Sequence, residues 1–503
     1  MNPWARNENR QANFLYLNRD NRWRGFHWEG LELNDADGSL SLATVPALLG
    51  VPTNATPTAQ SSDGQAGIVV VPNSTVYFTD PAQHRLLRWR DRDSATSEVE
   101  CLGGWGEAPT KFRWPRGLAY HPLRHALVVA DTGNDRLQFF SLVNFQLLDV
   151  WGGFKSPHSV ACDRHGNVYV ADSMNYCVRK FDLRGWEDES FRRKSQDRFS
   201  FPKEVAVDTC AADEWVYVLD SKSMFILDQQ GEWQEQVELV LEHPRGLLVH
   251  HGKVYVSDPQ HLYKFERHPQ SRPWRLVGKA IGFAGAVAAL AIAPEGGTIY
   301  AHTGGAAAPL QLAEKGGYVR RGALWGGPFD NLSQRREQWH KWQAMLRAFP
   351  ANTHLRLLVQ PVLQGKKQQP KLPLTVPWAG TVEHLVLDAA ASQRLNKWGD
   401  SALDVTELMF SDTPGHSFYL GVEFSSEDGA ASPVLAQMRL DFDHERYLQH
   451  LPALYQEDAA ASRGLARFLA LYGSFFEEIE TDIQHLSALF DPAAAPANFL
   501  AWL

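Results

Sequence analysis

The residues in this sequence that could do chemistry are numerous, and the first question is whether any of them recur at a spacing that chemistry needs. Six short apolar stretches end in a polar side chain: Val76–Asp80 (VYFTD), Leu127–Asp131 (LVVAD), Val168–Asp172 (VYVAD), Val216–Asp220 (VYVLD), Val254–Asp258 (VYVSD) and Ile299–Thr303 (IYAHT). Five of the six close on Asp, and a ring of carboxylates could hold a cation or move protons. The simpler role is structural, because an Asp at a strand end caps the following turn by accepting from its backbone N–H groups. His84, His158, His165, His243, His250, His251, His261 and His302 fall at different repeat positions. They give no sign of the matched depth that a shared metal site requires. Cys101, Cys162, Cys177 and Cys210 form no CxxC pair and lie where strands are expected, which is the pattern of buried small hydrophobes. No GxSxG, HExxH, P-loop or paired-carboxylate signature occurs. The expectation is a non-enzyme with no catalytic residue, no cofactor and no metal.

The elements that must position these residues follow from the same repeat. Its ends lie 51, 41, 48, 38 and 45 residues apart, the period of a four-stranded propeller blade. Ahead of four of the stretches stands a Pro-initiated strand: Pro115–Ala119, Pro157–Ala161, Pro202–Ala206 and Pro244–Leu248. Proline is tolerated at the first strand residue, which need not donate to the ladder. Turn formers such as Asp163–Asn167 (DRHGN) and His251-Gly252 separate the two strands. A third strand follows at Arg136–Phe140 and Val178–Phe181, and a fourth closes at Trp151-Gly152-Gly153, echoed by Leu102-Gly103-Gly104 and Trp325-Gly326-Gly327. Six such units predict a mainly β chain with a six-bladed propeller, within a range of five to seven blades, over 65–327. Residues 1–64 are then an arm, and the alternation in Gly30–Leu42 could supply a closing strand. The stretches Asp131–Phe139 (DTGNDRLQF) and Asp172–Phe181 (DSMNYCVRKF) resemble the NHL repeat.

Length and composition agree with several domains. A chain of 503 residues exceeds one hydrophobic core, and 44% hydrophobic residues with 17 Trp and 26 Phe provide ample material to bury. Lys plus Arg total 49 against 58 for Asp plus Glu, a net charge of −9, so nucleic acid is an unsuited partner. The polar N-terminus lacks the apolar core of a signal peptide, and the longest apolar run, Ile281–Pro294, is too short for a membrane span. Synthesis in the cytoplasm is expected.

Beyond Phe329 the repeat stops. Trp339–Phe349 and His354–Val362 flank a Pro-Ala-Asn turn, with further strands expected at Val382–Leu387, Ala402–Leu408, Phe418–Phe424 and Val434–Phe442. This spacing predicts a small β-sandwich over 328–444. Glu337–Leu346 could instead be helical, and periodicity does not decide it.

Residues 445–503 predict a helical segment. Leu465, Leu469, Tyr472, Phe476, Ile479, Ile483, Leu486 and Phe490 are separated by 4, 3, 4, 3, 4, 3 and 4 residues, a heptad seam suited to a long partner helix. An acidic face lies opposite, and Asp491-Pro492 ends the run. The stretch closely resembles the phage tail protein domain of contractile-tail baseplates and contractile injection systems. The resemblance rests on an opening motif at Tyr447, Leu448, Leu451, Pro452, Ala453, Leu454 and Tyr455, then on Glu457, Asp458, Phe468 and Leu469. It ends on Phe490, Asp491, Pro492, Ala495, Pro496, Phe499, Leu500, Trp502 and Leu503. It implies a structural wedge subunit that bundles with other wedge, hub and sheath proteins of a tail particle, the propeller facing another tail component, a cell envelope or a storage surface; the alternative is a propeller lectin or a propeller lyase or hydrolase anchored to such a particle. Members of that family continue past the Trp-Leu pair, so the expectation is either that the protein is truncated or that a remaining C-terminal portion is not represented in this sequence.

Overall fold

The computed structural model describes residues 23–49, 65–90, 99–330, 339–361 and 417–442, with short interruptions, and separate strands at 10–11, 14–17, 383–388 and 404–409. The chain divides into two compact units, Thr44–Gly317 and a second built from the segments on either side.

Thr44–Gly317 is a propeller-like array of small antiparallel sheets. The first comprises Ile68–Val70, Thr75–Asp80, Arg85–Arg90 and Val99–Gly103, and the second Pro115–His121, Ala126–Asp131, Arg136–Ser141 and Leu147–Trp151. The third has three strands, Pro157–Cys162, Val168–Asp172 and Cys177–Phe181. The fourth and fifth have four each, running from Pro202–Val207 to Trp233–Glu238 and from Leu247–His250 to Trp274–Lys279. The sixth joins Ala289–Ile292, Thr298–His302 and Leu310–Tyr318 to Thr44–Leu48.

Alternation inside these sheets sends apolar side chains to both faces, so each sheet packs on two neighbours. Buried clusters lie between each consecutive pair, and another joins Ile68, Val70, Phe78 and Trp89 of the first sheet to Ala289, Ala291 and Tyr300 of the sixth. The ring therefore closes, each fully buried aliphatic or Phe side chain contributing about 1.5–3 kcal/mol.

Hydroxyls beside the strand-end residues reinforce this packing. Thr79 donates to Arg116 O at 3.0 Å, Thr132 to Pro157 O at 2.7 Å, Ser173 to Pro202 O at 2.6 Å and Ser257 to Val287 O at 3.0 Å. The first three reach the inner strand of the next sheet, and Ser257 reaches the loop that enters it. The sixth sheet bonds to the first through buried His302, whose Nε2 lies 3.1 Å from Thr79 O.

Three expectations require correction here. Gly30–Leu42 does not close the ring: Leu31–Leu33 and Leu40–Leu42 form a hairpin in the other unit, and Thr44–Leu48 completes the sixth sheet. That strand is laced by Leu48 N–H to Ile281 O and Ile281 N–H to Pro46 O. Trp325-Gly326-Gly327 is not a blade-closing motif, since it belongs to strand Arg321–Asp330, which pairs with Phe26–Glu29 and Ser417–Ser426. Not every unit has four strands either. After Phe181 the chain forms helix Glu189–Ser195, capped by Asp188 accepting from Ser190 and Phe191 N–H, with Arg192, Arg193 and Lys194 favourably placed in the last turn. Phe191 is its buried anchor.

The second unit contains two sheets around one core. A seven-stranded sheet holds Arg10–Gln11, Phe14–Leu17, the 31–42 hairpin, Val434–Phe442, Trp339–Ala348 and Asp404–Met409. A five-stranded sheet holds Phe26–Glu29, Arg321–Asp330, Ser417–Ser426, Thr353–Pro361 and Glu383–Asp388. Leu40, Leu42, Ala344, Leu346 and Leu435 of one sheet meet Phe26, Leu324, Leu357, Val422 and Phe424 of the other in a single buried cluster. This is a β-sandwich, with the propeller inserted between its strands in sequence. It draws strands from residues 10–42, so 1–64 is not simply an arm. The two points where the propeller joins it are adjacent, Val319 N–H donating to Ala43 O at 3.0 Å. Trp339–Ala348 is a strand, not a helix, because its buried positions Ala344 and Leu346 alternate with exposed ones such as Arg347.

Candidate functional site

The residues singled out in the C-terminal segment, from Tyr447 through the heptad seam to Trp502, lie outside the described residues. Within the propeller three regions can be built from their residues upward: the axis, the strand-end aspartates and the loop faces.

The inner strands surround a channel of 520 Å³. At one level its lining comprises Gly67, Gly117, Ser159, Glu204, Gly246 and Ala289, one from each sheet. The glycines are sterically required. A Cβ on Gly67 would lie 2.2 Å from Arg116 O, and one on Gly117 would lie 2.6 Å from Ser159 Cα, both closer than atoms tolerate. Small residues thus let neighbouring inner strands approach until the ring shuts. Glu204 interrupts this pattern with a carboxylate. Burial pushes its carboxyl up to about 8, against a Ser159 hydrogen bond and the charges of Arg116 and Lys203, which favour ionisation. His158, buried against Phe201, is driven the other way, down to about 3, by burial and the same two cations. The axis is a narrow tube in which Glu204 stands at this level, and Tyr120, Cys162, Asp163 and Arg164 also contribute to its lining.

The aligned aspartates are buried and fully engaged. Asp131 accepts Arg113 N–H at 2.8 Å, Asn134 Nδ2 at 2.8 Å, Arg136 Nε at 2.8 Å and Gln138 Nε2 at 3.0 Å. Asp172 repeats the arrangement with Lys155 N–H at 2.7 Å, Asn175 Nδ2 at 2.9 Å and Arg179 at 3.3 Å. Asp220 accepts from Ser200 and Phe201 N–H. The capping expected from sequence is therefore only partly what occurs. Asp80 and Asp258 do cap the turn that follows, through Gln83 N–H and through Gln260 and His261 N–H. Asp131, Asp172 and Asp220 instead tether the loop entering the inner strand of their own sheet, because that loop ends directly beside the strand end.

The same face carries a second recurrent bond. His84, Asp135 and Tyr176 close equivalent turns of the first three sheets in the left-handed region, at φ 55, 53 and 53°. Trp114 N–H donates to His84 Nδ1 at 3.0 Å, and Ser156 N–H to Asp135 Oδ1 at 2.7 Å, each reaching back to the preceding sheet. Loops held this rigidly expose Trp105 (70%), Trp114 (51%), Tyr176 (47%) and Met174 (42%), more apolar surface than solvent contact favours. Arg113 lies over the Trp114 ring at 5.8 Å. On the opposite face Trp186 stands 74% exposed near the hairpin loops of the second and third sheets. Such rings can stack on a peptide or a sugar. Sequence reasoning did not separate them from buried Trp23, Trp28 and Trp89.

The cysteines also divide. Cys177 is buried and Cys162 partly so, as expected, but Cys101 and Cys210 are exposed and Cys210 lies in a hairpin loop, not a strand.

Residues 154–181, the third sheet with its incoming loop, match the NHL repeat family. No curated protein matches the chain. Solved structures similar to it include Kuenenia stuttgartiensis hydrazine synthase, at 13% identity and TM-score 0.37, covering 55% of this chain and 80% of that one. A streptogramin B lyase structure matches at 9% identity and TM-score 0.37, covering 60% and 97%. At these values neither likeness bears on activity.

Proposed function

We propose that the chain is a structural wedge component of the baseplate of a phage-like contractile injection particle, assembling through residues 445–503 and displaying a propeller for protein or surface contact. The observation that carries this reading is the run from Tyr447 to Trp502, with its opening Leu-Pro-Ala-Leu-Tyr, its heptad seam and its Phe-Asp-Pro exit. Two features of the propeller are compatible with it: its aligned carboxylates are engaged in hydrogen bonds that hold loops, and its loop faces present aromatic side chains. In this role the protein is not an enzyme and needs no cofactor. Its partners are other wedge subunits, the hub and the sheath, it binds no nucleic acid, and its place is the assembled particle after synthesis in the cytoplasm.

The test is assembly. Truncating a buried Phe to Ala costs about 3–5 kcal/mol where the side chain packs. Phe476→Ala with Ile483→Ala should leave the propeller folded by circular dichroism and melting, since distant sites behave additively, while abolishing particles counted by electron microscopy. Normal particles carrying both changes would remove the assembly role. A second reading, a propeller lectin on the same particle, is favoured specifically by exposed Trp105, Trp114 and Trp186. Glycan binding lost in Trp105→Ala and Trp114→Ala, with assembly intact, would select it.

A further inference from the structure

Asp208 follows the inner strand Pro202–Val207 of the fourth sheet, is 1% exposed, and accepts two backbone N–H groups. One is Cys210 N–H, at 3.1 Å, in its own hairpin loop; the other is Gly252 N–H, at 2.6 Å, in the hairpin of the fifth sheet. A buried carboxylate thus fixes two loops that are 44 residues apart in sequence. Three side chains with metal-ligating atoms converge on these loops. Cys210 Sγ lies 3.4 Å from His250 Nδ1, the His250 and His251 rings stand 4.3 Å apart at 67°, and the three ligand atoms are all within 4.8 Å of one another. His250 is buried, with Gly296 of the sixth sheet close behind its Nε2, so Nδ1 is the nitrogen facing the thiol. His251 adopts φ 49° and Gly252 φ 71°, a tight turn at the strand end.

We propose that Cys210, His250 and His251 form a binding site for a borderline-soft divalent cation, Zn²⁺ in the first place, which cross-links the hairpins of the fourth and fifth sheets. Tetrahedral zinc with bonds of about 2.3 Å to sulfur and about 2.0–2.1 Å to nitrogen places S and N about 3.6 Å apart and two N atoms about 3.3 Å apart. The observed 3.4 Å between Sγ and Nδ1 fits directly. The third atom closes the remaining distance by rotation of exposed His251. Thiolate plus imidazole selects zinc or cobalt over calcium and magnesium, which demand oxygen ligands. Three protein ligands leave a fourth position for water. On binding, the Cys210 thiol gives its proton to solvent as its sulfur bonds the metal, with no change of oxidation state. Asp208 acts behind the ligands by holding their loops in register, and it does not contact the ion.

The full chain, purified without a polyhistidine tag and stripped with chelator, is titrated with Co²⁺ and then with Zn²⁺ as competitor. One equivalent of Co²⁺ should produce a thiolate-to-cobalt charge-transfer band together with the intense d–d bands of a four-coordinate ion, and Zn²⁺ should bleach both. Cys210→Ser should abolish the charge-transfer band, and His251→Ala should weaken affinity by on the order of 100-fold. Both positions are exposed, so circular dichroism of each variant should match the parent, while Cys101→Ser should bind as the parent does. Absence of the charge-transfer band in the parent, or its persistence in Cys210→Ser, overturns the site. A parent-like affinity in His251→Ala does so as well.

Discussion

Replacing Asp131 by Ala tests whether the aligned carboxylates hold the fold, as their geometry implies, or are kept for chemistry. The carboxylate is 0% exposed and accepts four hydrogen bonds. Three of its donors have second acceptors: Asn134 Nδ2 reaches Gly106 O, Gln138 Nε2 reaches Lys111 O, and Arg136 Nη2 reaches Ala108 O and Lys111 O. Alanine therefore leaves chiefly Arg113 N–H and the Arg136 Nε without their acceptor. An orphaned backbone donor costs about 1–3 kcal/mol, and a lost charge-assisted bond about 1.5–3 kcal/mol. The expected destabilisation is about 3–5 kcal/mol, in line with removing one partner of a buried ion pair. For a domain of this size each kcal/mol lowers the melting temperature by about 2–4 °C, so calorimetry should show a drop of about 10 °C. Asp131→Asn preserves one acceptor for Arg113 but turns an amide toward the other donors, and should fall between parent and Ala. Asp135→Ala, which loses a bond at the exposed loop surface, should cost under about 1 kcal/mol. A shift of less than about 2 °C for Asp131→Ala would show that the carboxylate does not hold the loop, and a chemical role would have to be reconsidered.

Two further outcomes concern pH. His302 is buried and neutral, its pKa lowered from 6.5 to about 4 by burial. A folded pKa below the unfolded one makes its contribution complete above about pH 6.5 and lost as pH falls through 4, about 3 kcal/mol in all. Melting curves of His302→Gln should therefore be flatter than the parent between those pH values, and an equal slope would refute the assignment. Glu204 has the opposite sign. Raised from 4.5 to about 8, it contributes fully below pH 4.5 and loses that contribution as pH rises through 8. Glu204→Gln should raise the melting temperature relative to the parent near pH 9 and not near pH 4; the same difference at both would point to packing instead.

The propeller was legible because its signal is local. Each VYVAD-like strand carries its own burial pattern and its own end, and in four units a Pro-initiated strand stands shortly ahead of it. What escaped was non-local. The pairing of Phe14–Leu17 with Met438–Asp441 joins residues more than four hundred positions apart, and no pattern within either stretch announces the other. Thr44–Leu48 reads poorly as a strand because Pro46 cannot donate to a ladder, a defect that matters little in an outermost strand. Trp325-Gly326-Gly327 misled by local likeness, its tripeptide being the same as at Trp151 while its pairing partners lie in another sheet. The grouping of Cys210 with His250 and His251 required knowing that positions about one blade apart are neighbours. The role of the aspartates was half visible: sequence shows that a carboxylate ends the strand, but not which loop passes beside it.

The adjacency of Ala43 and Val319 also governs how force would travel through the chain. Tension applied to the sandwich through Phe14–Leu17 and Val434–Phe442 is borne by the hydrogen bonds between those two paired strands. It need not pass along the backbone of residues 44–317, since that segment leaves and rejoins the sandwich at one hydrogen-bonded pair. Mechanically the propeller is a side branch in the load path, not a link in it. An element so placed can be lengthened or exchanged without altering the pairing of those two strands.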